Sequence, residues 1–70
     1  MNQVLIHFDK GAREHLNILG LKYQESNGEL NVIVDDVPYT VSNGYYQDPD
    51  EQLCEYYGID YDEVNCIEAV

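Results

Sequence analysis

The residues of this sequence that could do chemistry are two Asp-x-Asp pairs, two cysteines and two histidines. The pairs at 48–50 and 60–62 resemble the start of a calcium-binding loop. Such a loop needs Gly at its sixth position and Glu at its twelfth. The first pair is followed there by Leu53 and Ile59, and the second has Asn65 at the sixth position. Neither pair therefore predicts a calcium site.

The cysteines and histidines give little support for a catalytic nucleophile or a metal site either. Cys54 and Cys66 are separated by eleven residues, and neither forms a CxxC pair or stands near His7 or His15 in the chain. Zinc sites usually place their ligands in such short spacings. We interpret the cysteines as free, mostly buried thiols and the histidines as structural. The sequence predicts no catalytic residue, no metal site and no cofactor, and a protein that is not an enzyme.

The charge of the chain is its strongest feature. Its 70 residues carry 14 Asp and Glu against 3 Lys and Arg, a formal net charge of −11, and all three basic residues precede residue 23. Direct nucleic-acid binding is disfavoured, because phosphates are attracted by Lys and Arg and repelled by carboxylates. The hydrophobic share of 44% is that of an ordinary folded chain. We expect one small domain spanning 1–70.

The elements that would position these groups begin with a short apolar run at 4–8, which predicts a strand buried on both faces. Ala12, Leu16 and Leu19 recur with helical spacing, so residues 10–19 predict a helix that ends at Gly20. Three strands are then expected, over 21–25, 30–34 and 37–41. Asn27-Gly28 is a hairpin turn pair, because both of its positions tolerate positive φ.

The last third is helical in its local pattern. Asp48, Pro49 and Glu51 are typical of a helix start, and Gly58 of a helix end. Asp60 and Glu63 predict a second short helix over about 61–68, with a strand over 64–70 as the alternative. The fold class is thus α+β: an antiparallel β-meander of three to four strands, one N-terminal helix and one or two short acidic C-terminal helices.

Acidic residues and tyrosines alternate along this last third. Carboxylates without counter-charges destabilise a compact state by mutual repulsion, which points to a functional use. Tyr supplies contact area and a hydroxyl group at low entropic cost. Helix capping alone could also explain several of the acids. The candidate partner-binding residues are Asp48, Asp50, Glu51, Glu55, Asp60, Asp62, Glu63, Tyr45, Tyr46 and Tyr56.

In size, acidity and α+β pattern the chain resembles the DNA-mimic inhibitors that phages and mobile elements use against restriction or CRISPR nucleases. That resemblance is one of class, and it implies an inhibitor that occludes the nucleic-acid site of a basic enzyme. An immunity protein or antitoxin that neutralises a nuclease toxin is an alternative, since the Glu-Tyr-Tyr stretch at 55–57 resembles the surfaces such proteins use. A third possibility is an accessory interaction module whose acidity is incidental.

The compartment and assembly follow from the same observations. The opening MNQVLIHFDK has no basic region, and its apolar run at 4–6 is too short for a secretory or membrane-spanning segment. We therefore expect a cytoplasmic protein without a membrane partner. Its high charge favours a monomer or a small homo-oligomer.

Overall fold

The computed structural model describes residues 2–41 and 47–70. Their elements, in chain order, are β1 (Gln3–Asp9), a 3₁₀ turn (Lys10–Ala12), α1 (Arg13–Leu19), β2 (Gln24–Ser26), β3 (Glu29–Asp35), α2 (Pro49–Tyr57), a second 3₁₀ turn (Tyr61–Glu63) and β4 (Val64–Ala69). The strands form one antiparallel sheet in the order β2-β3-β1-β4. The protein is therefore a small single domain of a four-stranded antiparallel sheet and two helices.

One face of the sheet carries the core. Alternate residues of β1 and β3 point to it, and both helices add buried side chains from the same side. Burial of these side chains supplies most of the driving force for folding. The core residues are Val4, Ile6, Phe8, Ala12, Leu16, Leu30, Val32, Val34, Leu53, Cys54 and Ile59.

The opposite face, which we call the open face, has no described helix over it. Its central residues are Leu5 and His7 of β1 and Asn31 and Ile33 of β3, and Ile33 is 57% exposed. The expectation that β1 is buried on both faces is therefore wrong, although the strand itself is confirmed. Leu5 and His7 are only half-buried, because both helices lie on the other side.

The local stop and turn motifs fold as expected. Asn27 and Gly28 have φ of 54° and 78° and join β2 to β3. Gly20 ends α1 with φ of 75°, and the Leu21 N–H donates to the Leu16 carbonyl, which is the hydrogen bond of a Schellman motif. These motifs are read correctly from sequence because their energetics are local.

The meander expectation is only partly right. Residues 37–41 form no strand, and the expected strand at 21–25 begins three residues later, as β2. After the β2–β3 hairpin, β3 pairs with β1 instead of with a following strand. Pro38 lacks a backbone N–H and so cannot donate to a ladder, which agrees with the irregular path of this segment.

The helix expected over about 61–68 is also wrong, and the alternative, a strand over 64–70, is confirmed. Asp60 caps a single 3₁₀ turn, and the chain then extends as β4 along the free edge of β1. Ile67 stands opposite Ile6 on the core face. Pairing with β1 satisfies the backbone of this segment and buries part of Ile67, a tertiary gain that outweighs its local helical pattern.

Neither described helix is long and apolar enough to cross a membrane.

Candidate functional site

The first candidate site is built around the start of α2. Asp48 accepts a hydrogen bond from the Asp50 N–H at 2.9 Å, and Pro49 occupies the first turn. Asp60, which follows the end of α2, accepts from the Asp62 N–H at 3.0 Å in the same way. Capping thus fixes two carboxylates of the predicted binding set, because each satisfies a backbone donor that would otherwise lack a partner.

Carboxylates from separate segments converge at this point. Partial burial raises the pKa of Asp50, and the nearby charges of Asp48 and Asp36 raise it further. Burial raises the pKa of the Cys54 thiol to about 11, with Asp50, Asp60 and Glu51 adding to the effect. We define the acidic surface as Asp36, Asp48, Asp50, Glu51 and Asp60. The charges of Asp48 and Asp36 disfavour the ionised form of Asp50, because like charges repel.

The remaining predicted acids differ in how they are held. Glu55 accepts from Gln47 Nε2 at 2.9 Å, and Glu63 lies 2.8 Å from His15 Nδ1. Glu51 and Asp62 are exposed, and their side chains make no hydrogen bond or ion pair with any described residue. Glu51 and Asp62 are therefore the two whose charge is most available to a partner, whereas Glu63 is committed to His15.

The tyrosines likewise differ in how exposed they are and in the contacts that hold them. Tyr56 is 71% exposed and its ring stands edge-on to that of Tyr57, with centroids 4.9 Å apart. Tyr57 donates its hydroxyl to the Asp35 carbonyl at 2.6 Å and so ties α2 to the end of β3. Tyr61 is 44% exposed and borders the acidic surface. Desolvation raises its pKa, and the charges of Asp48, Asp50 and Glu51 add to the effect. Tyr45 and Tyr46 lie outside the described residues.

A shallow groove of about 580 Å³ runs beside α2. Gln52, Glu55 and Tyr56 form its helical wall, and Val37, Pro38 and Thr40 form the opposite wall. The groove places an exposed ring and a carboxylate next to apolar surface. Such a combination suits a protein partner, because aromatic anchors set in a pocket contribute most to binding at an interface.

Two of the three basic residues lie at the beginning of the other helix, Lys10 in the preceding 3₁₀ turn and Arg13 at the first position of α1. Lys10 and Arg13 both pair with Glu25, and Arg13 also stands over the Tyr23 ring at 5.7 Å from its centroid. These two cations are therefore occupied near α1 and β2. Within residues 2–41 and 47–70, no Lys or Arg forms an ion pair with a member of the acidic surface.

A second group of polar side chains, which we call the His7 cluster, lies on the open face. It consists of His7, Cys66, Glu68, Glu29 and Asn31. His7 Nε2 lies 3.0 Å from Glu68 Oε2, and its Nδ1 lies 3.5 Å from Glu29 Oε1. The hydrogen bond to Glu68 raises the pKa of His7, with the charges of Glu68 and Glu29 adding to it and desolvation opposing it.

Sequence reasoning missed the His7 cluster. It favoured a helix over about 61–68 and kept a strand over 64–70 as the alternative. The helix would have separated Cys66 and Glu68 from each other and from His7. Their spacing of two residues is that of neighbours on one face of a strand. The expectation of two mostly buried thiols holds for Cys54 only, because Cys66 is exposed, and both are free.

No family model matches this chain, and no match was found among curated proteins or among solved structures.

Proposed function

We propose that this protein is an inhibitor that binds a basic nucleic-acid-handling enzyme, of the restriction or CRISPR nuclease kind, and occludes its DNA or RNA site by charge mimicry. The observation that supports the proposal most is that Asp36 and Asp50, from separate chain segments, line the same depression, next to Asp48 and Glu51 at the start of α2. Lys10 and Arg13 are held elsewhere, by Glu25. A basic partner would supply the charge that the acidic surface lacks.

The way in which the surface is held also supports the proposal. Asp48 and Asp60 are fixed as caps, so these two carboxylates are held in place by backbone N–H groups. Preorganised charges lose less conformational entropy on binding. Tyr56 beside the groove would anchor the contact, while Glu51 and Asp62 would lie where a nucleic acid presents phosphates. Inhibition would be competitive and would involve no chemical step.

Electrostatic recognition of this kind has a measurable consequence. Complementary charges speed association and make binding sensitive to salt. The experiment uses the immobilised protein and a nuclease-treated bacterial lysate that has not been enriched for basic proteins. Bound protein is eluted by a salt gradient or by duplex DNA and identified by mass spectrometry.

A pair of matched variants makes the experiment specific. The variant Glu51→Gln removes an exposed charge of the acidic surface, in the first turn of α2. The control, Glu14→Gln, removes an exposed charge from α1, so both proteins have the same net charge. We expect the first variant to lose about tenfold or more in affinity, an effect of about 1.4 kcal/mol, and the control to bind like the parent protein.

The opposite results would decide against the proposal. Equal binding by Glu51→Gln and Glu14→Gln would mean that net charge alone, and not the acidic surface, governs capture. A bound protein that is not basic, and that neither salt nor DNA displaces, would favour an accessory module whose acidity is incidental.

A further inference from the structure

We propose that His7, Cys66 and Glu68 form a binding site for a divalent transition-metal cation, with Zn²⁺ the best fit, on the open face of the sheet. One ligand atom from each of these three residues lies within 4.8 Å of the others. The proposal is independent of the inhibitor function, because the site lies on the His7 cluster and uses none of the acidic surface.

Strand pairing brings the three donors together. His7 of β1 stands directly opposite Cys66 of β4, and Glu68 is two residues further along β4 on the same face. Directly opposed residues have Cβ atoms about 5 Å apart, and diagonal neighbours remain within reach of longer side chains. The 3.0 Å between His7 Nε2 and Glu68 Oε2 suits two atoms that share one ion.

The irregularity in β4 falls at this site. The register between β1 and β4 shifts between His7 and Phe8, so that Asn65 has no partner of its own in β1. The Asn65 amide donates to Glu29 Oε2 at 2.8 Å, which leaves Glu29 Oε1 facing His7 Nδ1. Bulges of this kind are common next to functional sites, because they re-aim side chains.

The far side of the imidazole is arranged as in a metal-binding histidine. In such a residue the ring nitrogen that does not bind the ion donates its proton to a carboxylate or an amide oxygen, which fixes the tautomer and the orientation of the ring. His7 Nδ1 and Asn31 Oδ1 are both buried, and among the described residues neither has a hydrogen-bond partner. Glu29 Oε1 is the other acceptor close to Nδ1. A metal on Nε2 would fix the proton on Nδ1. Asn31 Oδ1 or Glu29 Oε1 would then accept a hydrogen bond from that N–H group.

The donor set selects the kind of ion. Imidazole nitrogen, thiolate sulfur and carboxylate oxygen together match Zn²⁺ and its neighbours in the first transition row, whereas Ca²⁺ and Mg²⁺ prefer oxygen alone. Three protein ligands leave the fourth tetrahedral position open, and Cys66 and Glu68 are exposed, so water or a partner residue can reach it.

The experiment is a titration with Co²⁺ and with Zn²⁺ on the full chain, with excess Mg²⁺ present to occupy the exposed carboxylates. Co²⁺ reports a thiolate ligand by its charge-transfer absorption, and Zn²⁺ affinity is measured by competition with a chromophoric chelator. We expect one equivalent of each ion to bind. Cys66→Ser should abolish the thiolate band and lower Zn²⁺ affinity by about tenfold or more, while Cys54→Ser should change neither.

Two further variants test His7 and the neighbouring Glu29. His7→Gln should weaken Zn²⁺ binding at least as much as Cys66→Ser, and Glu29→Gln should weaken it by about tenfold through the orientation of His7. If His7→Gln fails to fold by circular dichroism, Cys66→Ser still decides the question, since Cys66 is exposed. Absence of the thiolate band in the parent protein, or a band that persists in Cys66→Ser, would overturn the proposal.

Discussion

Gln52 of α2 binds both backbone groups of Thr40. Its side-chain oxygen accepts from the Thr40 N–H at 3.0 Å, and its side-chain nitrogen donates to the Thr40 carbonyl. One amide side chain therefore supplies the two hydrogen bonds that a neighbouring strand would otherwise provide. This contact holds residues 37–41 beside α2 instead of in the sheet, and it forms part of the groove next to Tyr56.

Replacing Gln52 should release this segment. Gln52→Ala removes both hydrogen bonds, and we expect it to lower the free energy of unfolding by about 1 to 2 kcal/mol. Urea denaturation followed by circular dichroism measures the change. Gln47→Ala is the control, because Gln47 bonds only an exposed carboxylate among the described residues. Equal stability of the two variants would show that the Thr40 contact contributes little.

The two glycines that end the helices should differ in their tolerance of a side chain. Gly20 and Gly58 have φ of 75° and 74°, which costs an alanine about 1 kcal/mol at either position. A Cβ at Gly58 would also lie 3.3 Å from Leu19 Cδ2, whereas a Cβ at Gly20 would meet nothing within 4 Å. We expect Gly58→Ala to be more destabilising than Gly20→Ala in urea. The reverse order would mean that Leu19 moves aside without cost.

The two thiols should react at different rates in the folded protein. Cys66 is exposed, whereas Cys54 is buried and its pKa is raised to about 11 by that burial. Thiolates are the reactive species. Cys54 is therefore protected in two ways: burial keeps the reagent away from it, and the thiol stays protonated at neutral pH. A coloured disulfide reagent at pH 8 should modify one thiol readily and the second only in denaturant. Mass spectrometry of digested protein should locate the first label at Cys66.

Glu25 should make stability depend on pH in a defined direction. Its hydrogen bond to Arg13 lowers its pKa from 4.5, with Lys10 adding to the effect. A lowered carboxyl pKa contributes stability that is present above pH 4.5 and is lost as the pH falls through the lower folded value. Glu25→Gln should therefore have a lower melting temperature than the parent protein at pH 7, by a small margin because the ion pairs are exposed.

The same pair of proteins provides the control for this prediction. At a pH well below the folded pKa of Glu25, the parent carboxyl is protonated and resembles the glutamine. The difference in melting temperature should then vanish. A difference that persists unchanged in acid would show that the side chain stabilises the fold by packing and not by charge.

Several parts of this fold could be predicted because their causes are local. Asn27-Gly28, Gly20 and Asp48 act through the conformation of a few neighbouring residues, and each is found where the sequence placed it. The α+β class followed from the change of hydrophobic period along the chain. The charge asymmetry that underlies the proposed function is likewise a property of the sequence alone.

Other parts depended on partners far away in the chain. Residues 64–69 have a local pattern compatible with helix, and only the free edge of β1 makes them a strand. Residues 37–41 alternate like a strand but find Gln52 of α2 beside them. Propensity is weak compared with the hydrogen bonds and burial that such long-range pairing supplies.

The sequence by itself therefore determined the Asn27-Gly28 turn, the helix ends at Gly20 and Gly58, the combination of an antiparallel sheet with helices, and the distribution of charge. The tertiary structure decided the strand order, the separation of a core face from an open face, and the meeting of His7 with Cys66 and Glu68 across two strands. The physical reason is that turn and cap energies depend on nearby backbone angles. The position of a residue in a sheet instead depends on which distant strand satisfies its backbone hydrogen bonds and buries its apolar side.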